Sequence, residues 1–341
     1  LNKRSLIIFD MDGVLVDVSR SYREVTRRSV VEYLRQVLGV HVSDDFITLA
    51  DVDAVKKSGG LNNDWDLTDA ILNAYLRGGC THIDEDLLRQ LSKIRTAEDD
   101  HTVFDQMRII DFSKHRPRLE DLVQKKAAPA LFSSTAWSAG DRSPLLLNQG
   151  DVGSGNLTKR IFQELYLGRR LFKQNYGEEA IFCDGDGYIE CERSIPTRAQ
   201  LEQLYASHVL SIATGRPGAE ASYALAQFAI GRYFKSMVSE DDVVEAEEGC
   251  SESLRKPHPF SLSLSMEKCG YSPGDSVYYV GDMPDDMVAA RAAKIRPIGF
   301  VDRDAGENED QRHEHVVLLE YHGASAVFTS FDEIISFLIV Q

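Results

Sequence analysis

Two apolar spacings alternate along this chain. Leu6 to Phe9 is an unbroken apolar run, closed at once by Asp10, Met11, Asp12 and Gly13. A short continuous run ended by a turn residue predicts a strand buried on both faces. The same shape recurs from His208 to Ala213, ending in Thr214-Gly215-Arg216, and from Ser276 to Val280, ending in Gly281-Asp282. Weaker strand patterns lie within residues 234–240, 295–301 and 325–330. Between them, residues 197–207, 218–230, 259–270, 285–294 and 331–340 carry helical spacing. Strand and helix alternating in this way predict an α/β fold with a parallel, Rossmann-like sheet and right-handed crossovers.

The interval between the first strand and the rest is different. Residues 19–39, 47–59, 64–78 and 83–95 have helical periodicity, the first stopped by Gly39. Ser133 to Asn156 is rich in Ser, Gly, Asp and Asn and predicts a long loop, partly mobile. Residues 157–177 predict a firmer helix, and residues 180–192 predict two short strands about a tight turn, a hairpin. The Asp-Gly-Asp-Gly at its centre echoes a calcium loop. Alignment on Gly187 puts Phe182 and Arg193 at ligand positions, which is wrong for Ca²⁺. The expected division is a core of residues 1–17 and 200–341 with residues 18–199 inserted as a mainly helical domain. That insertion has a helical part at about 18–95 and an extension at about 96–199.

Composition narrows the function classes. The net charge of −16 argues against nucleic acid and anionic membranes, which call for basic surfaces. No apolar run is long enough for a membrane span, and no signal-type segment opens the sequence, so a cytoplasmic location is expected. The five cysteines are odd in number and lack a C-x-x-C pair, which disfavours a zinc site or a disulfide framework. Nothing in the sequence sets the oligomeric state.

Three of the four pieces of candidate chemistry sit at predicted strand ends, where ligands bind in open α/β sheets. Asp10 and Asp12 are too close to be charged together without a cation or a shared proton. They suit a Mg²⁺ site in which one carboxylate acts as nucleophile and the other as proton donor. A Thr214–Gly215 turn offers hydroxyl and backbone N–H groups to a phosphate, with Arg216 either touching that phosphate or capping the loop. Lys256 precedes a proline at the mouth of a helix, and Asp285 and Asp286 follow Asp282. Each feature alone is commonplace; four in this order are not.

These residues resemble the haloacid-dehalogenase-like hydrolases, and within them the subfamily IA phosphatases. The first motif is matched by Asp10, Asp12, Gly13, Val14, Leu15 and Asp17, the second by Thr214, the third by Lys256, and the fourth by Gly281, Asp282 and Asp286. The resemblance implies an enlarged C1-type cap and a Mg²⁺-dependent phosphatase acting on a small phosphorylated metabolite. Asp10 would be the nucleophile and Asp12 the acid and base, its backbone carbonyl also on the metal. Asp282 would bind the metal directly, Lys256 and Thr214 would hold phosphate, and Asp286 or Asp285 would orient Lys256 or a metal-bound water. A phosphomutase using the same residues is the alternative, and a non-catalytic phosphate-binding protein on the same fold is the other class.

The segment from Lys56 to Thr68 resembles an uncharacterised branch in which some members are fused to a histidinol-phosphate aminotransferase. The substrate is left open among histidinol phosphate, sugar phosphates and phosphoglycolate-like acids. Lys57, Asn62, Asn63 and Trp65, around Gly59-Gly60, are candidate substrate contacts from the inserted domain; the bland alternative is a helix cap before residue 64. Lys159 and Arg160, opening a helix after a glycine-rich loop, are candidates for a second anionic group.

Overall fold

The structure, a computed structural model, describes residues 4–57, 63–78, 89, 143, 145–274, 276–304 and 308–340. Its Cα packing divides the chain into two units, Leu1–Ser19 with Glu192–Gln341, and Arg20–Cys191.

The first unit is built on a six-stranded, all-parallel sheet: β1 (Leu6–Phe9), β4 (Val209–Ala213), β5 (Phe234–Val238), β6 (Val277–Gly281), β7 (Arg296–Phe300) and β8 (Ala326–Phe328). The spatial order is β5-β4-β1-β6-β7-β8. Counting these six alone, that is the doubly wound order 3-2-1-4-5-6, which changes direction between β1 and β6. The apolar runs are unbroken because both faces are covered. Ile7 and Phe9 face a core shared with Leu201, Leu204, Phe331, Ile334 and Leu338. Leu6 and Ile8 face the opposite core, with Leu262, Met266, Ala289 and Ala290. The Rossmann-like expectation is met. Two further helices, Glu240–Glu247 and Glu309–Tyr321, had no place in the sequence reading. Both begin at capping boxes, Ser239 with Asp242 and Asn308 with Gln311, a signal present in the sequence.

A second, two-stranded antiparallel sheet pairs β2 (Val16–Asp17) with β3 (Arg193–Ser194). It joins the segment that leaves this unit to the one that returns to it.

The second unit, by itself, is helical. Helix Tyr22–Glu32 continues through a π-turn to Val37 and packs against helices Asp64–Gly78 and Leu157–Tyr176. Tyr22 stacks on Tyr166 at 4.6 Å between ring centroids. Helix Leu49–Lys57 completes the described helices of this unit; the predicted helix at 83–95 falls almost wholly outside the described residues.

One expectation agrees with the structure as far as its residues are described, and one is corrected. The described part of the Ser133–Asn156 loop has no helix or strand, yet it is pinned: Leu145, Leu146 and Leu147 are buried. Tyr33 Oη donates to the Leu145 carbonyl at 2.7 Å and accepts from Leu147 N at 2.8 Å. The hairpin at 180–192 is absent. In its place the glycine-rich segment lies against the 157–176 helix, which is kinked at Gly168 (φ 69°, ψ 169°). Gly168 bridges to Asp186, and Arg169 N donates to the Gly185 carbonyl at 3.0 Å. A Cβ on Gly187 would stand 2.2 Å from the Tyr166 carbonyl oxygen, so only glycine permits that approach. Tyr188–Cys191 then forms a 3₁₀ turn. A glycine pair that reads as a tight turn instead serves backbone-to-backbone contact.

Candidate active site

The first-motif turn starts where β1 ends. Asp10 N still donates to the Val280 carbonyl of β6 at 2.8 Å, so the strand ladder fixes its backbone. The chain then reverses over Met11, whose carbonyl receives Leu15 N and Val16 N, both at 2.8 Å. Gly13 takes a positive φ of 73°, and a Cβ there would lie 2.1 Å from Asp282 Oδ2. Any side chain at Gly13 would drive the first-motif turn off the fourth-motif aspartate. Gly281 acts likewise: its Cβ would meet Asp286 Cβ at 2.4 Å.

Around these turns the structure gathers one cationic and three acidic side chains. Lys256 Nζ lies 2.9 Å from Asp10 Oδ1 and 3.0 Å from Asp286 Oδ1. Asp10, Asp282 and Asp286 each offer an oxygen within 4.8 Å of the other two. Asp10 and Asp286 are buried. Burial pushes the Asp10 carboxyl up to about 7; Lys256 pulls it down, while Asp286 and then Asp12 push it up again. Burial works against the charge on Lys256, but Asp10 and Asp286 hold its ammonium well above the lysine range. Burial is the first cause of that rise and the carboxylates of Asp286 and Asp12 add to it, so the site carries negative charge that Lys256 alone does not offset. Three convergent oxygen donors could relieve it by binding a hard metal ion.

The other candidates divide. Thr214 is buried after β4, its N bonded to the Val238 carbonyl at 2.9 Å and its Oγ1 accepting from Arg216 N at 3.1 Å. Gly215 is open, with nothing within 4 Å of a built Cβ. Arg216 departs from a phosphate-facing reading: it is buried, and its Nε donates to Asp12 while Nη1 and Nη2 donate to Glu192. The Asp12 carboxylate turns to that arginine and is not among the three converging oxygens; Asp286 takes that place. Asp285 also stands outside the three.

Of the candidates in the inserted unit, Asn62 lies outside the described residues, as does the Lys57 side chain. Asn63 caps the 64–78 helix, its Oδ1 accepting from Trp65 N at 2.8 Å. Trp65 lies under Lys159, whose Nζ is 4.1 Å from the ring centroid and 2.6 Å from Asp151 Oδ1. Arg160 presents nothing to an anion: it is buried against Glu164 and Glu178.

Three contacts were not foreseen. Tyr279 Oη donates to Asp286 Oδ1 at 2.9 Å, and burial, then Asp10 and Asp286, hold its hydroxyl well above the usual tyrosine range, so it stays a donor. His315 Nε2 lies 2.7 Å from the Asp282 carbonyl oxygen. Glu192 faces Arg216. Tyr279 had a signal, two positions before Gly281 on the same strand. Glu192 and His315 lie far away in sequence and had none.

Comparison with known proteins bears on the same residues. A family model described as haloacid dehalogenase-like hydrolase matches residues 196–300. A phosphoglycolate phosphatase of Pectobacterium atrosepticum is 33% identical over 104 residues, 30% of this chain and 39% of that one. A phosphoglycolate phosphatase of Haemophilus influenzae is 33% identical over 163 residues, 47% of this chain and 66% of that one. The matches thus span between about two fifths and two thirds of these relatives. An X-ray structure of a structural-genomics target aligns over 99% of this chain and 98% of its own, with a TM-score of 0.65 at 20% identity, a likeness of fold. Among the described residues no helix is long and apolar enough to cross a membrane. With the family model over four of the six strands, β4 to β7, phosphatase relatives and the six-stranded core in agreement, the sheet unit of this chain belongs to the haloacid dehalogenase-like hydrolase superfamily.

Proposed function

We propose that this protein is a Mg²⁺-dependent phosphatase of a small phosphorylated metabolite, working through an aspartyl-phosphate on Asp10. The observation that carries the reading is the contact of Lys256 with both Asp10 and Asp286 at the crevice between β1 and β6. In the first step a carboxylate oxygen of Asp10 bonds phosphorus while the ester P–O bond breaks. Asp12 gives its proton to the leaving oxygen. In the second step a water oxygen bonds phosphorus, the Asp10–phosphorus bond breaks, and the water proton passes to Asp12. Lys256 and Thr214 hold the phosphoryl oxygens as charge spreads over them. Asp10, Asp282 and Asp286, with the backbone carbonyl of Asp12, are the groups that would hold Mg²⁺, which supplies charge neutralisation at the transferred phosphoryl group.

With a chain charge of −16, these few cations must draw an anionic substrate locally, which screening over roughly 8–10 Å permits. The inserted helical unit is the part we assign to substrate selection, acting as a cap. Phosphoglycolate, named in the relatives, and histidinol phosphate head the substrates to test. Phosphate release should be followed across a panel of phosphorylated metabolites, with Mg²⁺ and with EDTA. Release from one or a few small esters, abolished by EDTA, is expected. Full activity in EDTA, or no release from any ester, would sink the reading.

A further inference from the structure

Arg216 is 1% exposed and spans two acids. Its Nη1 and Nη2 donate to the two oxygens of Glu192 at 2.9 and 3.0 Å, a fork-on-fork pair, and its Nε donates to Asp12 Oδ1. The backbone of the same arginine is tied to Thr214 Oγ1. Glu192 is itself buried and precedes β3, which pairs with β2 only a few residues beyond Asp12. One guanidinium therefore joins the first-motif turn, the second-motif turn and the returning segment of the chain. As a fold-stabilising device this is a poor choice, since well-packed apolar residues replace a buried ion pair at little or no cost. Its distinguishing property is directional: the fork fixes the plane of Arg216, and Nε then fixes one oxygen of Asp12.

We propose that Arg216, backed by Glu192, is a positioning residue for the proton transfers of Asp12. This rests on the phosphatase reading above and goes beyond it, since it takes Arg216 away from the substrate and adds Glu192. A fixed Asp12 carboxyl group, protonated at the start, delivers its proton to the leaving ester oxygen as the P–O bond breaks, and the resulting carboxylate takes one from the attacking water. Arg216 touches neither phosphorus nor the leaving group.

The test uses leaving groups that differ in their need for that proton. An alkyl phosphate leaves as a poor alkoxide and requires it, whereas a nitroaryl phosphate leaves as a stable phenolate and hardly does. Three proteins are compared on both esters: the unaltered chain, Asp12→Asn, and the double variant Arg216→Met/Glu192→Met, which removes both charges so that neither is stranded in the interior. The double variant is expected to follow Asp12→Asn, with kcat/KM for the alkyl ester falling at least about tenfold further than for the aryl ester, and with the loss in kcat rather than KM. Glu192→Gln keeps the shape of the pair and should show the same selectivity more weakly; it serves if the double variant does not fold. Equal losses on the two esters in these variants, with Asp12→Asn selective, would overturn the inference and leave the phosphatase reading standing. An unselective Asp12→Asn would overturn the inference together with the acid–base role of Asp12 on which it rests, whereas no phosphate release from either ester by the unaltered chain would overturn the phosphatase reading itself. A crystal structure of the double variant with the Asp12 side chain unmoved would count against the inference whatever the kinetics.

Discussion

Among the described residues each unit buries one arginine–glutamate pair, and the two pairs differ in where they end. In the inserted unit Arg160 and Glu164 lie one turn apart on a single helix, 2.8 Å between Nε and Oε1. Their remaining bonds close on the neighbouring loop: Arg160 Nη2 donates to the Glu179 carbonyl at 3.0 Å, and Glu164 Oε2 accepts from Ile181 N and Phe182 N. In the sheet unit Arg216 and Glu192 come from separate segments, and the third bond of the arginine ends on Asp12. The chemistry of the pairs is the same. The first fastens backbone, the second holds a carboxylate beside the nucleophile candidate. Burial and charge alone would have ranked them equally as functional sites. What separates them is the group at the far end.

The largest expected effect concerns that nucleophile. Asp10→Asn keeps the shape of the site and relieves its excess charge, but an amide cannot form the acyl phosphate. The protein should fold, with kcat lower by on the order of 10⁴-fold or more in a phosphate-release assay. Near-normal turnover would remove the sheet unit's claim to be the chemical one. Next comes the pair in the inserted unit. Glu164→Ala takes one of the two carboxylates from the buried Arg160, leaving Glu178, and deprives two backbone N–H groups of their acceptor. A loss of about 3–5 kcal/mol in urea unfolding is expected, with kcat of the remaining folded protein on an aryl phosphate changed less than about threefold. A large fall in kcat at unchanged stability would erase the contrast between the pairs.

How much could be read beforehand follows the same division. The strands of the sheet, and the ends at which Asp10, Thr214 and Asp282 sit, are legible because each is a local pattern, an apolar run closed by turn and polar residues; Lys256 is legible as a lysine before a proline at the mouth of a helix. Glu192 is not legible, because its partner lies 24 residues on and its target 180 residues back. The hairpin expectation failed at Gly185 and Gly187 because local turn chemistry cannot tell a turn from a close approach to the Gly168 kink. Lys159 and Arg160 read as anion ligands from their place after a glycine-rich loop, which does not reveal that Glu164, one turn on, takes Arg160 and that Asp151 takes Lys159. The missed helices at 240–247 and 309–321 carried capping boxes that an apolar-spacing criterion alone passes over.

A smaller effect tests the electrostatics of the site. In the absence of metal, burial raises the Asp10 carboxyl to about 7 in the folded chain, against 3.8 as its ordinary value. The folded form holds this proton longer than the unfolded form does. The associated stability is therefore full below the ordinary value and is lost as pH rises through about 7. Metal binds the deprotonated carboxylate and opposes that loss. The gain in Tm on adding Mg²⁺ should be small near roughly pH 5 and grow toward about pH 8, reaching the equivalent of about 2–3 kcal/mol at a hundredfold excess over Kd. Differential scanning calorimetry across that range is the measurement. A gain that shrinks with rising pH would place the raised carboxyl away from the metal.

The smallest expected effect lies in the inserted unit and bears on substrate choice. Trp65 is half-buried at the start of the 64–78 helix, its backbone N held by the Asn63 side chain and its ring under Lys159. An aromatic ring with an ammonium on its face is a fixed, two-part surface, and the interaction itself contributes only about 0.5–1 kcal/mol at a part-exposed site. If this surface selects the leaving group, Trp65→Ala should lower kcat/KM for the physiological ester by about tenfold, or about 1.4 kcal/mol. An aryl phosphate, which carries no metabolite to select, should be nearly unaffected. Lys159→Met tests the same surface from the other side: it removes the charge, keeps the length, and should reproduce part of the loss. Equal losses on both esters would instead mean that Trp65 and Lys159 only seat the helix, as Arg160 and Glu164 seat the loop beside it. The inserted unit would then hold two structural fasteners, and selection would have to come from elsewhere in the chain.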